Sequence, residues 1–212
     1  SLEGDTKGIA RLWPFLGPAT AKALGADPPP AEHCHRPASV GGVPCRLIGT
    51  ADGIDVLIDP DAAIALSTAL EAGDAMRVTP EAAEIVRVER GEPRFGAEMG
   101  PQTIPAEAGI VERAVSFSKG CYIGQETVAR LHYKGRPNRH LRGLRLSATV
   151  EPGATLTLGD REVGVVGTAC LSPAFGPIAL AIVRREAEPG AVVAVGDAGV
   201  TAEVVELPFA AA

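Results

Sequence analysis

The 212 residues suffice for one large domain or two modest ones, and with 46% hydrophobic but only 4% aromatic residues any core must be aliphatic. A formal net charge of −6 argues against general nucleic-acid binding, and no apolar run approaches the roughly 20 residues of a membrane span. The four cysteines, Cys34, Cys45, Cys121 and Cys170, include no C-x-x-C pair, and a chain of this length needs no disulfide staple, so reduced thiols in a reducing, cytoplasmic compartment are expected.

In chain order, the start "SLEGDTKG" has neither an initiator Met nor an apolar signal core and reads as a cut or processed end. The segment "LWPFLGPATAKALGADPPP" predicts a short helix from about Pro18 to Leu24, stopped by Gly25 and followed by a stiff break at Pro28, Pro29 and Pro30. "VPCRLIGTADGIDVLID" reads as two strands joined by a tight turn at Ala51-Asp52-Gly53. In "DPDAAIALSTALEAG" Asp59 caps a helix, Pro60 fits its first turn and Gly73 ends it. "TPEAAEIVRVERG" repeats that grammar with Thr79, Pro80 and Gly91, and Ile85, Val86 and Val88 supply its apolar stripe. Residues 96–109 show little periodicity and read as loop. "IVERAVSF" alternates enough for a strand, and "QETVARLHY" after Gly124 starts a short helix with Glu126 and Arg130 at i,i+4.

The last third changes character. "EPGATLTLGD" and "EPGAVVAVGD" share one pattern: a Pro-Gly turn, alternating apolar residues and a Gly-Asp turn. Each continues into a second strand, which makes two similar hairpins. With "HLRGLRL" and "PIALAIVRR" they give about six short strands, the spacing of a small barrel or sandwich, with a domain boundary near Asn138.

Charge is unevenly spread. From Arg113 to Arg145 there are eight Arg or Lys and one Glu, a local +7 that leaves −13 for the rest. Lys134, Arg136, Arg139, Arg142 and Arg145, near Tyr122 and Tyr133, suit a phosphate, a stacked base or carboxylates, or simply a solvated linker. Within this region "SFSKGCYIGQETVARLHYKG" sets Cys121 two residues after Lys119 and just before a helix start. Both features favour thiolate. Gly120 and Gly124 permit close backbone approach, and Gln125 offers a donor and an acceptor. The alternative is a small buried hydrophobe in a glycine-rich turn. His33, Cys34, His35 and Cys45 are ligand types, but their spacing does not fit structural zinc, and a solvated loop with one buried thiol accounts for them. Asp52 and Asp55 by themselves mean a polar turn.

The stretch from "RVERGEPRFGAEMG" through "KGCYIGQETVARLHYKGRPNRHLRGL" resembles the YgfZ family of folate-binding proteins, relatives of the glycine cleavage T-protein (aminomethyltransferase). Its K-G-C-Y-x-G-Q-E signature stands at Lys119 to Glu126. T-proteins resemble this region around "KGxFIG" but usually lack the cysteine and the Q-E-T-V-A-R-L continuation. Of their "ARDxLRLEAG" pattern, Arg87, Glu89 and Gly91 match while Ala83 replaces the first Arg. Of their "GEDGFE" turn, Asp52 and Gly53 match, Asp55 replaces a Glu and Ala51 an acid. The resemblance implies an α+β fold: a partial folate-binding domain over residues 1–138, then a small antiparallel β-barrel over 139–212. It implies a tetrahydrofolate cofactor, possibly with a polyglutamate tail, and a role in assembling or repairing iron–sulfur clusters in client proteins. It makes Cys121 the functional thiol, with Lys119 beside it. It assigns Asp52, Asp55, Arg87, Tyr122, Gln125 and Arg136 to cofactor binding. An aminomethyltransferase or other one-carbon enzyme is the alternative. A further expectation is that the family's N-terminal portion is missing from this sequence.

Overall fold

The structure, a computed structural model, describes residues 11–16, 19–51, 53–72 and 75–210. The chain divides into two compact units, Ser1–Thr79 and Pro80–Ala212. The fold is mixed α and β.

The first unit is built on a four-stranded antiparallel sheet. Its strands are β1 (Arg11–Leu16), β2 (His35–Val40), β3 (Val43–Gly49) and β4 (Gly53–Ile58), in the order β1-β4-β3-β2. Helix α1 (Thr20–Leu24) ends at Gly25, as its sequence signals. Helix α2 (Ala63–Glu71) follows a 3-10 turn over Pro60–Ala62, where the Asp59 carboxylate accepts a bond from the Asp61 N–H at 3.0 Å. Leu24, Leu66 and Leu70 pack against Leu47, Ile54, Val56 and Ile58, so one face of the sheet makes the core.

Both outer strands escape the sequence reading for one reason. β1 contains Pro14 and β2 contains Pro37, and proline reads as a strand breaker. An edge strand tolerates it because one row of its backbone groups has no partner strand. The segment around His35 is therefore not the solvated loop expected. His33 N–H donates to the Gly49 carbonyl and Gly49 N–H to the Cys34 carbonyl, both at 2.9 Å, and β2 follows directly.

The second unit opens with α3 (Pro80–Arg90), then loop, a short helix α4 (Val111–Ala114), and α5 (Gln125–Lys134). The strand expected over "IVERAVSF" is α4 instead. Its apolar residues, Ile110, Val111, Ala114 and Val115, fall at helical spacing, and Ala114 and Val115 N–H groups close onto the Ile110 and Val111 carbonyls at 2.9 Å.

Six strands then close into an antiparallel barrel: β5 (Arg139–Leu146), β6 (Thr155–Leu158), β7 (Arg161–Ser172), β8 (Gly176–Arg184), β9 (Val192–Val195) and β10 (Val200–Val205). The circular order is β10-β5-β8-β7-β6-β9, and the two similar hairpins are β6-β7 and β9-β10. Leu144, Leu146, Leu156, Val163, Val166 and Val193 fill the interior. β8 reads as a continuous apolar run because both its faces are covered. Ala179, Ala181 and Val183 point inward, while Ile178 and Leu180 pack outside against Val88 of α3 and Phe209.

Candidate functional site

The loop before α5 carries the lone thiol. Cys121 is exposed and unpaired, so it is not the buried small hydrophobe that a glycine-rich turn would also accommodate. The loop is organised from both ends. Ser116 Oγ accepts a bond from the Lys119 N–H at 3.3 Å, and Gln125 Oε1 accepts one from the Tyr122 N–H at 3.2 Å. Gln125 N–H in turn donates to the Tyr122 carbonyl at 3.3 Å. Gly124, at φ 89°, makes the reversal into the helix in a conformation that L side chains rarely adopt. Lys119 Nζ lies 4.5 Å from the centroid of the Tyr122 ring, which fixes a positive charge in the loop that holds Cys121. Behind the loop, Phe117 stacks on His132 at 4.0 Å and meets Tyr133 edge-on. The other three thiols are half-buried, and burial pushes Cys45 up and Cys170 up to about 11.

The basic run does not form one charged surface. Arg139 binds the buried Glu107 bidentately, at 2.8 and 3.0 Å. Arg113 pairs with Glu92 at 3.4 Å and Arg142 with Glu206 at 3.4 Å. Arg145 lies over the Phe175 and Phe209 rings. Arg136 differs: it lines a cleft of about 560 Å³ together with His140, Arg142, Arg184 and Arg185. Sequence reasoning placed Arg184 and Arg185 at the end of a strand and missed this cleft. The signal was the tandem Arg at a strand end, where the barrel closes on the basic linker.

Arg87 is enclosed. Its Nε and Nη2 donate to the two Glu84 oxygens at 3.0 and 2.9 Å, Nη1 donates to Glu98 at 3.0 Å and to the Glu92 carbonyl, and Nη2 also donates to Thr168 Oγ1 at 2.7 Å. All five guanidinium donors are thereby used within the protein. Glu98, its side chain 0% exposed, also accepts from Thr168 Oγ1 at 2.5 Å. Gly167, at the register shift of β7, leaves room for it, because a Cβ there would stand 2.9 Å from Glu98 Cγ.

Asp55, in the first unit, sits mid-strand on β4, opposite Pro14 and Ile48. Alternation puts it on the sheet face away from the Ile54–Val56–Ile58 core. It is half-buried, and burial raises its carboxyl above the usual range. Asp52 lies outside the described residues. Lys119, Cys121 and Tyr122 thus share one loop, closed by Gln125 at the start of α5, while Arg136 belongs to the cleft and Arg87 to an internal knot.

Residues 139–210, the whole barrel, match the family of the glycine cleavage T-protein C-terminal barrel domain. The chain is a homologue of part of the glycine cleavage T-protein. It is 33% identical over 191 residues to an aminomethyltransferase of Streptomyces coelicolor, covering 82% of this chain and 51% of that protein. It is 40% identical over 90 residues to the tRNA-modifying protein YgfZ of Sodalis glossinidius, covering 39% of this chain and 27% of that one. The crystal structure of the glycine cleavage system aminomethyltransferase T from Bartonella henselae shares the fold, with a TM-score of 0.74 and 22% identity over 91% of this chain and 56% of that one. The chain spans about half the length, or less, of these curated relatives.

The T-protein likeness gives meaning to the R-x-E-x-G match at the end of α3. Arg87 binds Glu84, Glu98 and Thr168, while Glu89 accepts from Ser172 Oγ at 2.6 Å and its carbonyl accepts from Phe209 N–H at 2.9 Å. Gly91, at φ 73°, lies where a Cβ would stand 2.7 Å from Leu207 Cβ. All three residues fasten α3 to the T-protein barrel.

Proposed function

We propose that this chain is the thiol-bearing part of a cytoplasmic, tetrahydrofolate-binding accessory protein that supports assembly or repair of iron–sulfur clusters in client enzymes. The observation that carries this reading is Cys121, exposed and unpaired in a loop fixed by Ser116 and Gln125 and bearing the charge of Lys119. An accessible sulfur in that setting suits contact with a cluster or with a client's thiol. Among the described residues no helix is long and apolar enough to cross a membrane.

For the folate, the residues differ in fitness. Asp55 offers a half-buried acceptor carboxylate that gains from the N–H edge of a pterin. Arg87 has no donor left to give, so no folate contact is proposed for it. Gln125 Oε1 is engaged within the loop and leaves its amide N–H₂ for a ligand.

The test uses the full-length protein in a strain lacking its own copy. Cys121→Ala should lower the activity of cluster-containing client enzymes several-fold while leaving the unfolding midpoint unchanged. Normal client activity with the alanine variant would refute the reading. Calorimetric titration with tetrahydrofolate should show saturable binding that Asp55→Ala weakens.

A second reading, a folate-dependent aminomethyltransferase, is favoured by relatives of that name at 33% identity. It requires turnover of a one-carbon donor by the full-length protein. Ala83 and Ala51, where the T-protein pattern carries an Arg and an acid, weigh against it.

A further inference from the structure

The cleft that contains Arg136 is the open mouth of the barrel, and strand alternation explains its chemistry. His140 pairs in register with Val183 and Arg142 with Ala181, and both partners belong to the barrel interior. Residues directly opposite in antiparallel strands share a face. The inward series on β5 therefore runs His140, Arg142, Leu144, Leu146, and changes from apolar to basic as it reaches the rim. The floor is apolar: Val183 and Ala187 are 1% and 2% exposed. Pro137 and Pro189 stand in the wall.

Arg136, Arg142, Arg184 and Arg185 line this space together with Glu186 and Glu188, and alternation after the inward Val183 turns the Arg184 side chain to the outer face of β8. Glu186 is bound by Arg161 at 3.0 Å, and Arg142 is steadied by Glu206 at 3.4 Å and by the Leu141 carbonyl at 3.1 Å. Arg136 has no ion-pair or hydrogen-bond partner among the described residues. The rim is held by its backbone: Arg185 N–H donates to the Asn138 carbonyl and Ala187 N–H to the Arg184 carbonyl, both at 2.9 Å. A volume of about 560 Å³ suits a small molecule, and barrel mouths are recurrent ligand sites. Charge placed for solubility has no need to converge on a concave surface with an apolar floor.

We propose that the mouth of the barrel binds a small oligoanion with two or more oxyanion groups, either the carboxylates of a short glutamyl chain or linked phosphates. Guanidinium forks grip both chemistries bidentately. The site lies wholly within the second unit and does not depend on the folate reading.

Calorimetry on the full chain at low salt tests it with two probes, tri-γ-glutamate and tripolyphosphate. At least one should bind saturably at one site, and Arg136→Ala with Arg185→Ala should weaken that binding about tenfold or more. Arg77→Ala, an exposed residue of the first unit, should leave it unchanged. Binding of the glutamyl probe alone identifies a carboxylate ligand, binding of tripolyphosphate alone a phosphate ligand, and binding of both a site that reads charge. Should the double alanine variant unfold, Arg136→Lys with Arg185→Lys replaces it, and loss of the planar forks should still weaken binding. Absence of saturable binding by either probe, or an equal loss with Arg77→Ala, overturns the proposal.

Discussion

Five donors of a single guanidinium, that of Arg87, meet acceptors on α3, the loop after it and β7. Its neighbour Glu98 has no exposure and relies on it for charge. Arg87→Ala would leave that carboxylate buried beside Thr168 without a cation. The expected cost is about 3–5 kcal/mol, measured as a fall in the urea midpoint without a change in slope. Arg87→Lys should recover only part of this, because an ammonium cannot reach the spread of acceptors that the planar fork reaches. A small effect would show that the knot is replaced by solvent. The contrast with Cys121 is instructive. Both residues stand in segments the family resemblance singles out, but one is enclosed by partners and the other faces solvent.

At the scale of elements, α3 and α5 have similar lengths and different attachments. α3 sends Val88, 0% exposed, into the outer cluster of the barrel and is locked at its end by Gly91. Gly91→Ala places a Cβ against Leu207 and forces a positive φ, so it should destabilise by more than about 1 kcal/mol. Hydrogen exchange at the α3 amides should rise in that variant, and an unaltered exchange pattern would show that the Leu207 segment simply moves aside. α5 has no fully buried side chain among its described residues. It presents the thiol loop at its N-terminal end and leads to the basic linker at its other end. Its sequence was legible as a helix from the Gly124 start and the i,i+4 spacing, whereas α4 was read as a strand because five apolar residues in eight leave the period ambiguous over so short a run.

For the whole molecule, stability should respond to pH through two groups of opposite sign. Burial, and then Arg142, hold the His140 imidazole below its ordinary range. Between the unfolded value of about 6.5 and the lower folded value, the unfolded chain takes up a proton that the folded chain refuses. This histidine therefore erodes stability as pH falls through that window. Asp55 is raised by burial, so the folded form holds its proton more tightly. Its contribution favours folding at low pH and is lost as pH rises through the folded value. Two comparisons check the signs. His140→Gln should lose less stability than the parent between pH 7.5 and 5.5, and Asp55→Asn should raise the unfolding temperature at pH 7.5. Either difference with the opposite sign would mean that the group is solvated differently from the structure described here.

Local pattern alone was enough for the two repeated hairpins, the helix starts at Pro60 and Pro80, and the glycine-rich thiol loop, because turn chemistry and periodicity are encoded by neighbours in the chain. The edge strands β1 and β2 were hidden because Pro14 and Pro37 are acceptable only at the border of a sheet, and a border exists only once the other strands are in place. The site divides in the same way. Cys121, Lys119 and Gln125 lie within seven residues and could be read together, while Arg136 and Arg185 meet only because β5 and β8 run side by side and the barrel closes. The fate of each arginine in the basic run was likewise a tertiary matter. Whether a guanidinium waits for a ligand or is already paired depends on acids such as Glu92, Glu107 and Glu206, and folding alone brings those within reach.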